Sequence, residues 1–486
     1  MAKSVKKNYI YNLIYQVLTL LLPLVTTPYL SRVLQADGIG TVSYAEAIVS
    51  YFVLLANVGI ATYGQRQISY VQDSVEERSR VFWETQLLKL ITTTISLAVY
   101  LPFALFVING DLTLLYLILG IQIFSVCLDS VWFLQGMEEF GKIVIRNIFF
   151  RVLTIIFIFV VVKSKEDLIY YVLGVAGIGL LSALSIWSYL PKYIKKIPFK
   201  TLKPFRDIKT VLALFIPTIA IQIYTVLDKT MIGVITSDVY ENGYYEQAIK
   251  IVRMALTVVW SLGTVMIPRI GHHYKLGEMD KVRNWMYRSY RFVWLVSLPM
   301  CIGLIFTASN FVPWFFGDGY DGVVPLLQVL SLLFLAIGVN TVTGNQFLIP
   351  TKREKVYTVT VILGACVNFV LNLFMIYFFK SIGAAIASVF AEIVIATVQL
   401  VIVRKELSAV KIFSSSIKYL ISSVGMGLVL FFEGRYFAPS IINTFIMITS
   451  GMAVYLILLF IMKDEFLISN TKNIIGKFIK RKQKGE

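Results

Sequence analysis

The chain has 486 residues, 57% hydrophobic and only 15% charged, with a mean hydropathy of +0.76. Soluble domains carry closer to about a quarter charged residues, so this balance excludes an ordinary soluble enzyme and points to the membrane class. The net charge of +17 does not imply nucleic acid as a partner, because the basic residues sit in short connections between apolar runs.

The N-terminal MAKSVKK precedes an apolar run that lacks a small-residue cleavage site and continues through Pro23 and Pro28. It reads as a first span and not as a signal peptide. Apolar runs of roughly the 20 residues needed to cross about 30 Å of hydrocarbon then recur. They predict spans at 9–30, 41–60, 85–108, 112–134, 143–162, 168–190, 211–235, 245–267, 292–312, 323–347, 356–379, 382–403, 417–432 and 441–462. The short alternating segments of a membrane β-barrel are absent. The expected class is therefore all-α, with about fourteen transmembrane helices.

Alternating the connections between two sides places about 35 of the 45 Lys and Arg residues on one side. The other side holds Arg32, Lys163, Lys165, Lys380 and Arg435. A bias of this size predicts a multi-pass protein of the cell (cytoplasmic) membrane with both termini in the cytoplasm. The outer connections are short. The inner ones at 191–210 and 268–291 are the longest, and none is large enough for a catalytic domain. Cys127, Cys301 and Cys366 lie in apolar segments and read as small hydrophobes without a disulfide framework. His272 and His273 fall in a basic inner loop and read as solvated. In the tail at 464–486, Leu467, Ile474, Ile475, Phe478 and Ile479 share a helical face beside Lys477, Lys480, Arg481 and Lys482. That pattern suits either an amphipathic helix on an anionic inner leaflet or a simple positive-inside tail.

The two halves echo each other. Val17-Leu18-Thr19-Leu20-Leu21-Leu22-Pro23 matches Val211-Leu212-Ala213-Leu214-Phe215-Ile216-Pro217, and Asp37-Gly38 before span 2 matches Asn242-Gly243 before span 8. Trp132-Phe133-Leu134 parallels Gln346-Phe347-Leu348. A six-span period gives both halves the same orientation, related by an axis along the membrane normal, as alternating access requires.

Several of these segments resemble a known family. Pro28-Tyr29-Leu30-Ser31-Arg32-Val33-Leu34 followed by Asp37-Gly38-Ile39-Gly40 is similar to the first-loop signature of the polysaccharide transporters of the multidrug/oligosaccharidyl-lipid/polysaccharide exporter superfamily. Asp228-Lys229-Thr230-Met231-Ile232-Gly233, then Asn242-Gly243-Tyr244-Tyr245-Glu246-Gln247-Ala248, resembles the span 7–8 region of Wzx-type flippases. Lys380-Ser381-Ile382-Gly383-Ala384-Ala385 resembles their turn between spans 11 and 12. The resemblance implies two six-helix lobes around a V-shaped central cavity, at 1–200 and 201–408, with an accessory pair of helices and a basic tail at 409–486. It implies a flippase carrying an undecaprenyl-diphosphate-linked oligosaccharide to the outer leaflet for capsule or O-antigen-like polymer. Such a protein would work amid membrane lipids and beside a polysaccharide polymerase and glycosyltransferases. A peptidoglycan-precursor (lipid II) flippase and a multidrug or cation antiporter of the same superfamily are the alternatives.

A charged, hydroxyl-rich head needs a hydrated and counter-charged path, so ionisable groups deep in the spans mark the candidate route. Glu246, Lys250 and Arg253 fall at i, i+4 and i+7 on one face of span 8. Arg253 lies roughly eight residues in, about 12 Å at 1.5 Å per residue, and its fork of donors suits a diphosphate. A structural ion pair with Glu246 is the competing role. Lys229 near the outer end of span 7 could line the cavity or snorkel, beside Asp228. Lys89, Asp129 and Arg151 lie toward the inner ends of spans 3, 4 and 5, and Arg32 stands at the outer mouth. Glu46 in span 2 and Glu392 in span 12 are ion-pair or ion-coupling candidates. Asn368 and Asn372 suit bonding between helices. Pro23 and Pro217, at matching positions in spans 1 and 7, are the hinge candidates. No Walker A and no His-Glu-x-x-His sequence occurs. No covalent chemistry, cofactor or metal is called for, and the driving force could be the membrane potential, H+ or Na+.

Overall fold

A computed structural model describes residues 5–108, 110 and 112–468; the side chains of 5–21, 216–218, 220–221, 223–224, 262 and 264–265 are not described. The hydrophobic face predicted within 464–486 therefore lies mostly outside the described residues, as does the Pro217 side chain. The described chain is all helical, with no strand. The helices are α1 (Val5–Asn57), α2 (Ile60–Tyr70), α3 (Val75–Pro102), α4 (Leu112–Leu128), α5 (Val131–Gly136), α6 (Phe140–Val161), α7 (Leu168–Ser185) and α8 (Ile208–Thr236). They continue as α9 (Val239–Lys275), α10 (Met279–Phe316), α11 (Val323–Leu330), α12 (Leu333–Asn340), α13 (Glu354–Ile402), α14 (Ala409–Ser414), α15 (Ile417–Tyr436) and α16 (Ile441–Ile461).

Among the described residues, ten helical runs are long and apolar enough to cross a membrane. Two of them, 22–70 and Glu354–Ile402, have 49 residues each, about 73 Å of helix and more than twice the hydrocarbon thickness. Gln35 at φ 58° divides α1 and Lys380 at φ 51° divides α13, and the first run turns again at Val58 and Gly59, at φ 40° and 69°, between α1 and α2. Reading both runs as pairs, and adding α8 and α9 at 29 and 37 residues, gives fourteen spans.

The helices outrun the hydrophobic windows in one direction. The connection expected at 268–291 is almost entirely helical, because α9 continues to Lys275 and α10 begins at Met279. Polar residues that end a hydropathy window do not end a helix. In the last turn of α9, His273 is not simply solvated: its Nδ1 lies 2.7 Å from Glu278 Oε2 in the turn that follows. Lys281 and His273 together hold the Glu278 carboxyl below its ordinary value. The tenth span is interrupted, as α11, α12 and a wider π turn over Thr341–Leu348.

The chain forms two compact units, Met1–Gly243 and Tyr244–Glu486. In the first, the second half of α1 packs on α3, α4 and α7 through Val42, Ala45, Val49, Tyr100, Leu119 and Val172. An aromatic cluster of Phe82, Trp132, Phe133 and Trp187, with Ile186 packed beside it, forms a second core. Here α4 stops short of its predicted end and α5 resumes at Val131, which frees carbonyls inside a buried setting. Three side chains answer them: Gln86 donates to Cys127 O at 2.5 Å, Trp187 to Leu128 O at 2.8 Å, and the Lys89 ammonium to Asp129 O. The Asp129 carboxylate in turn accepts from Val131 N at 3.0 Å, capping α5.

The outer part of α1 meets α8 and the start of α9 backbone to backbone. A Cβ on Gly40 would lie 1.7 Å from Val239 O, and one on Gly243 would lie 2.0 Å from Ala36 O. Asn242, oriented so that its amide nitrogen donates to Lys229 O at 2.9 Å, accepts from Gly233 N at 3.1 Å. Tyr51 and Thr230 share a hydroxyl bond of 3.0 Å. The Asp37-Gly38-Ile39-Gly40 and Asn242-Gly243 segments are thus the two sides of one helix crossing.

In the second unit, α10 is the central post. Asn310 donates to Phe437 O and Ala438 O at 3.2 and 3.1 Å, and Thr444 donates to it at 2.5 Å, fastening the turn between α15 and α16. Across the reversal in α13, Asn368 donates to Ser388 Oγ at 3.3 Å, and Asn372 to Asn368 Oδ1 at 3.2 Å.

Two stability outcomes are expected. Gly243→Val or Gly40→Val forces two backbones apart, and should cost about 1–3 kcal/mol or more, read as a lower melting midpoint of the detergent-purified protein. Gly179→Ala, whose Cβ would meet nothing within 4 Å, should leave the midpoint unchanged. Lys89→Met keeps the volume but leaves the Asp129 carbonyl unsatisfied, at a cost of about 1–3 kcal/mol. An unaltered midpoint in that variant would show that the carbonyl finds water instead.

Candidate functional site

Two adjoining cavities, mostly apolar in lining with a few polar and charged groups among it, open among the helices of the first unit. The first, of about 350 Å³, is lined by Leu22, Pro23 and Thr26 of α1, by Asn147, Arg151 and Thr154 of α6, and by Ile178, Gly179 and Ser182 of α7. The second, of about 380 Å³, is lined by Gln122, Ser125 and Asp129 at the end of α4, by Arg146 of α6, and by the same Gly179 and Ser182. Small residues on α7 make the room. A Cβ on Gly179, which stands in the wall of both cavities, would touch nothing within 4 Å, which is unusual inside a close-packed bundle.

The polar groups are held in place by their own helices. Thr26, Ser125 and Thr154 donate to the carbonyls of Leu22, Ile121 and Phe150 at 3.2, 2.7 and 2.9 Å, so they expose hydroxyl oxygens as acceptors. Arg146 reaches from α6 to α7, donating to Ser182 O at 2.9 Å and to Asn147 Oδ1 at 2.7 Å. These bonds fix one guanidinium edge, while Arg151, one turn further along α6, is exposed. The arrangement can receive an anion bearing hydroxyl groups: one guanidinium in each cavity, Arg151 in the first and Arg146 in the second, with amide and hydroxyl groups beside them and one carboxylate, Asp129, in the second.

The structure therefore brings Arg151 and Pro23 to one cavity and Asp129 to its neighbour. Lys89 is buried at 2% exposure and serves the helix break behind Asp129. On α8, Asp228 is buried and Lys229 half-buried. Arg32 is exposed and donates to Pro28 O at 3.3 Å, and Glu46 is exposed on α1. In the second unit, Lys250 lies 3.7 Å from Glu246, and Arg253 stands exposed two turns along α9. Glu392 is half-buried and accepts from the Asn340 amide, which also donates to Glu392 O at 3.2 Å. The sequence reading missed Arg146 and Asn340. Arg146 lies three residues inside the predicted fifth span and counts there as a flanking charge; the signal was its place one turn before Arg151 in a helix facing the glycines of α7.

The family described as polysaccharide biosynthesis protein matches residues 5–273. A protein of Shigella dysenteriae named "Putative O-antigen transporter" is 25% identical over 398 residues, covering 80% of this chain and 98% of that one. An archaeal relative from Haloferax volcanii, named "Probable low-salt glycan biosynthesis flippase Agl15", is 23% identical over 435 residues, covering 88% and 89%. Among solved structures, a lipid II flippase MurJ in an inward closed conformation has a TM-score of 0.74 at 17% identity, covering 94% of this chain and all of that one. An inward-facing multidrug resistance transporter of the MATE family has a TM-score of 0.60 at 14% identity, covering 82% and 99%. The two structures share this chain's fold, and with the family match over more than half its length, this multi-pass membrane chain belongs to the polysaccharide biosynthesis protein family.

Proposed function

We propose that the chain translocates an undecaprenyl-diphosphate-linked oligosaccharide from the cytoplasmic to the outer leaflet, as a step in making a surface polysaccharide. The observation that carries this reading is the pair of cavities containing Arg146 and Arg151 within membrane-length helices. Charged side chains at that depth are costly, and face water or a counter-charge. Guanidinium groups suit a diphosphate, and the ring of amide and hydroxyl oxygens suits a sugar. The names of the O-antigen and glycan relatives support the substrate class.

In this reading, the two repeats at 1–200 and 201–408 act as lobes that alternate access around a V-shaped cavity, with 409–486 as an accessory helix pair and tail. Both termini face the cytoplasm. Arg151, Arg253, Lys250, Lys229 and Arg32 neutralise the passing head, and Lys89 acts indirectly by shaping the floor beside Asp129. Glu246 and Asp228 hold neighbouring cations in place, while Glu46 and Glu392 are the groups through which H+ or Na+ would couple. Pro23 bends α1 where it lines the first cavity, and Pro217 plays the matching part in α8.

The test is complementation of a strain lacking this gene. Arg151→Ala and Arg253→Ala should each lower surface polysaccharide by about tenfold or more, the scale of one lost charge-assisted contact, with membrane levels of the protein unchanged. Arg→Lys should restore part of it. Wild-type polymer from well-expressed alanine variants would remove these side chains from the path. Rescue of a strain deprived of its peptidoglycan-precursor flippase would move the substrate to that lipid.

A further inference from the structure

The largest of the described cavities lies elsewhere, wholly within the second unit, where α10, α14 and α15 meet the segment after α16. Its volume is about 700 Å³, and Arg288, Arg291, Lys411, Lys418, Ser415 and Asp464 stand in its wall. The positive-inside bias assigns these helix ends to the cytoplasmic face. Two of the charges are already engaged. Asp464 is 7% exposed and accepts from Leu467 N at 2.8 Å, while Lys418 donates to Met462 O at 3.0 Å, closing the end of α16.

The other three cations are placed differently. Arg288 lies over the Trp285 ring at 5.2 Å, and Lys411 over the Tyr287 ring at 6.0 Å. Arg288, Arg291 and Lys411 are all exposed. Among the described residues, none of the three is joined to a carboxylate in an ion pair. Helix α14 runs into α15 through Ser415 and Ser416, which keep right-handed helical backbone, so one continuous helical run brings Lys411 toward the arginines of α10 at this cavity. Three exposed cations in one cavity wall suit a phosphate. Beyond the cavity rim, α15 presents Ile417, Leu420 and Ile421 at 54%, 45% and 51% exposure. A free phosphate has no use for that apolar strip, whereas an acyl chain lies along it.

The geometry points to a binding site for an anionic phospholipid, with its phosphate among Arg288, Arg291 and Lys411 and its tail along α15. The site is separate from the cavities of the first unit, and stands or falls without them. Held there, the lipid ties α15 to α10 at the cytoplasmic face.

The full-length protein, purified and delipidated, is titrated with phosphatidylglycerol, with phosphatidylcholine and with inorganic phosphate, and followed by native mass spectrometry and melting midpoint. Retention of phosphatidylglycerol over phosphatidylcholine is expected, with a raised midpoint that inorganic phosphate does not reproduce. Arg291→Gln with Lys411→Gln should weaken that retention by roughly tenfold or more, given the contribution of each basic residue at an anionic surface. Arg291→Gln alone serves should the double variant not purify. Lys405→Gln, outside the cavity, should behave as wild type. Equal retention by the cavity variants, no preference between the two lipids, an equal effect of inorganic phosphate, or an equal loss in Lys405→Gln would each overturn the assignment.

Discussion

A carbonyl or an ammonium group left open inside hydrocarbon has no water to turn to, and the architecture of this chain is organised around that constraint. At several of the helix breaks among the described residues, a side chain from a neighbour answers the open backbone. The gap between α4 and α5 draws Gln86, Trp187 and Lys89 from two other helical segments. The reversal in α13 is crossed by Asn368 and Ser388, and the turn leading into α16 is held by Asn310. Each contact does two things. It removes the penalty of an unpaired polar group, and it fixes which helix lies beside which, since apolar packing against lipid-like neighbours supplies little such preference.

The same constraint sorts the basic residues into two kinds. Lys89 is spent on a carbonyl and has no reach left for a ligand. Arg146 bridges α6 to α7 through Ser182 O, in a cavity that also holds Asp129. Arg151 is exposed on the same helix. A graded series of this kind gives a floor whose position is set by the committed groups and whose charge is offered by the others. Preorganisation of this sort keeps the entropy of ordering long side chains from being charged against substrate binding.

The number and kind of spans were legible in the sequence because each repeats one strong requirement, about 20 apolar residues per crossing. The reversals at Gln35 and Lys380 fell in the gaps the spans left. What hydropathy could not supply was the extent of helices beyond the apolar window. Ser74 accepts from Glu77 N at 3.3 Å and starts α3 at Val75, ten residues before the predicted edge, and the whole Met279–Arg291 stretch is helical for the same reason. Local capping and propensity decide those ends, and apolarity does not. Within the candidate site, Arg151, Asp129 and Pro23 were readable as ionisable or helix-bending residues at depth. Arg146 was not, because depth alone cannot tell a snorkelling arginine from one turned inward. That distinction rests on what the facing helix leaves empty, and here it is Gly179 of α7, in the wall of both cavities, that leaves it.

Glycine has the opposite use a short distance away. At Gly40 and Gly243 the missing Cβ lets two backbones touch, whereas at Gly177 and Gly179 it leaves space open. A transporter needs both. A contact between bare backbones has few rotamers to reorder and can be made and broken without repacking long side chains, while an open cavity must remain hydrated for an anion to enter. If the head group crosses with about two uncompensated charges, an inside-negative potential favours outward movement by about 2.3 kcal/mol per charge for each 100 mV. Cations fixed to the protein lower the barrier without cancelling that gain so long as they do not themselves traverse the field. Arg146, tied at both ends to adjacent helices of one unit, meets this condition better than a lysine on a free stem would.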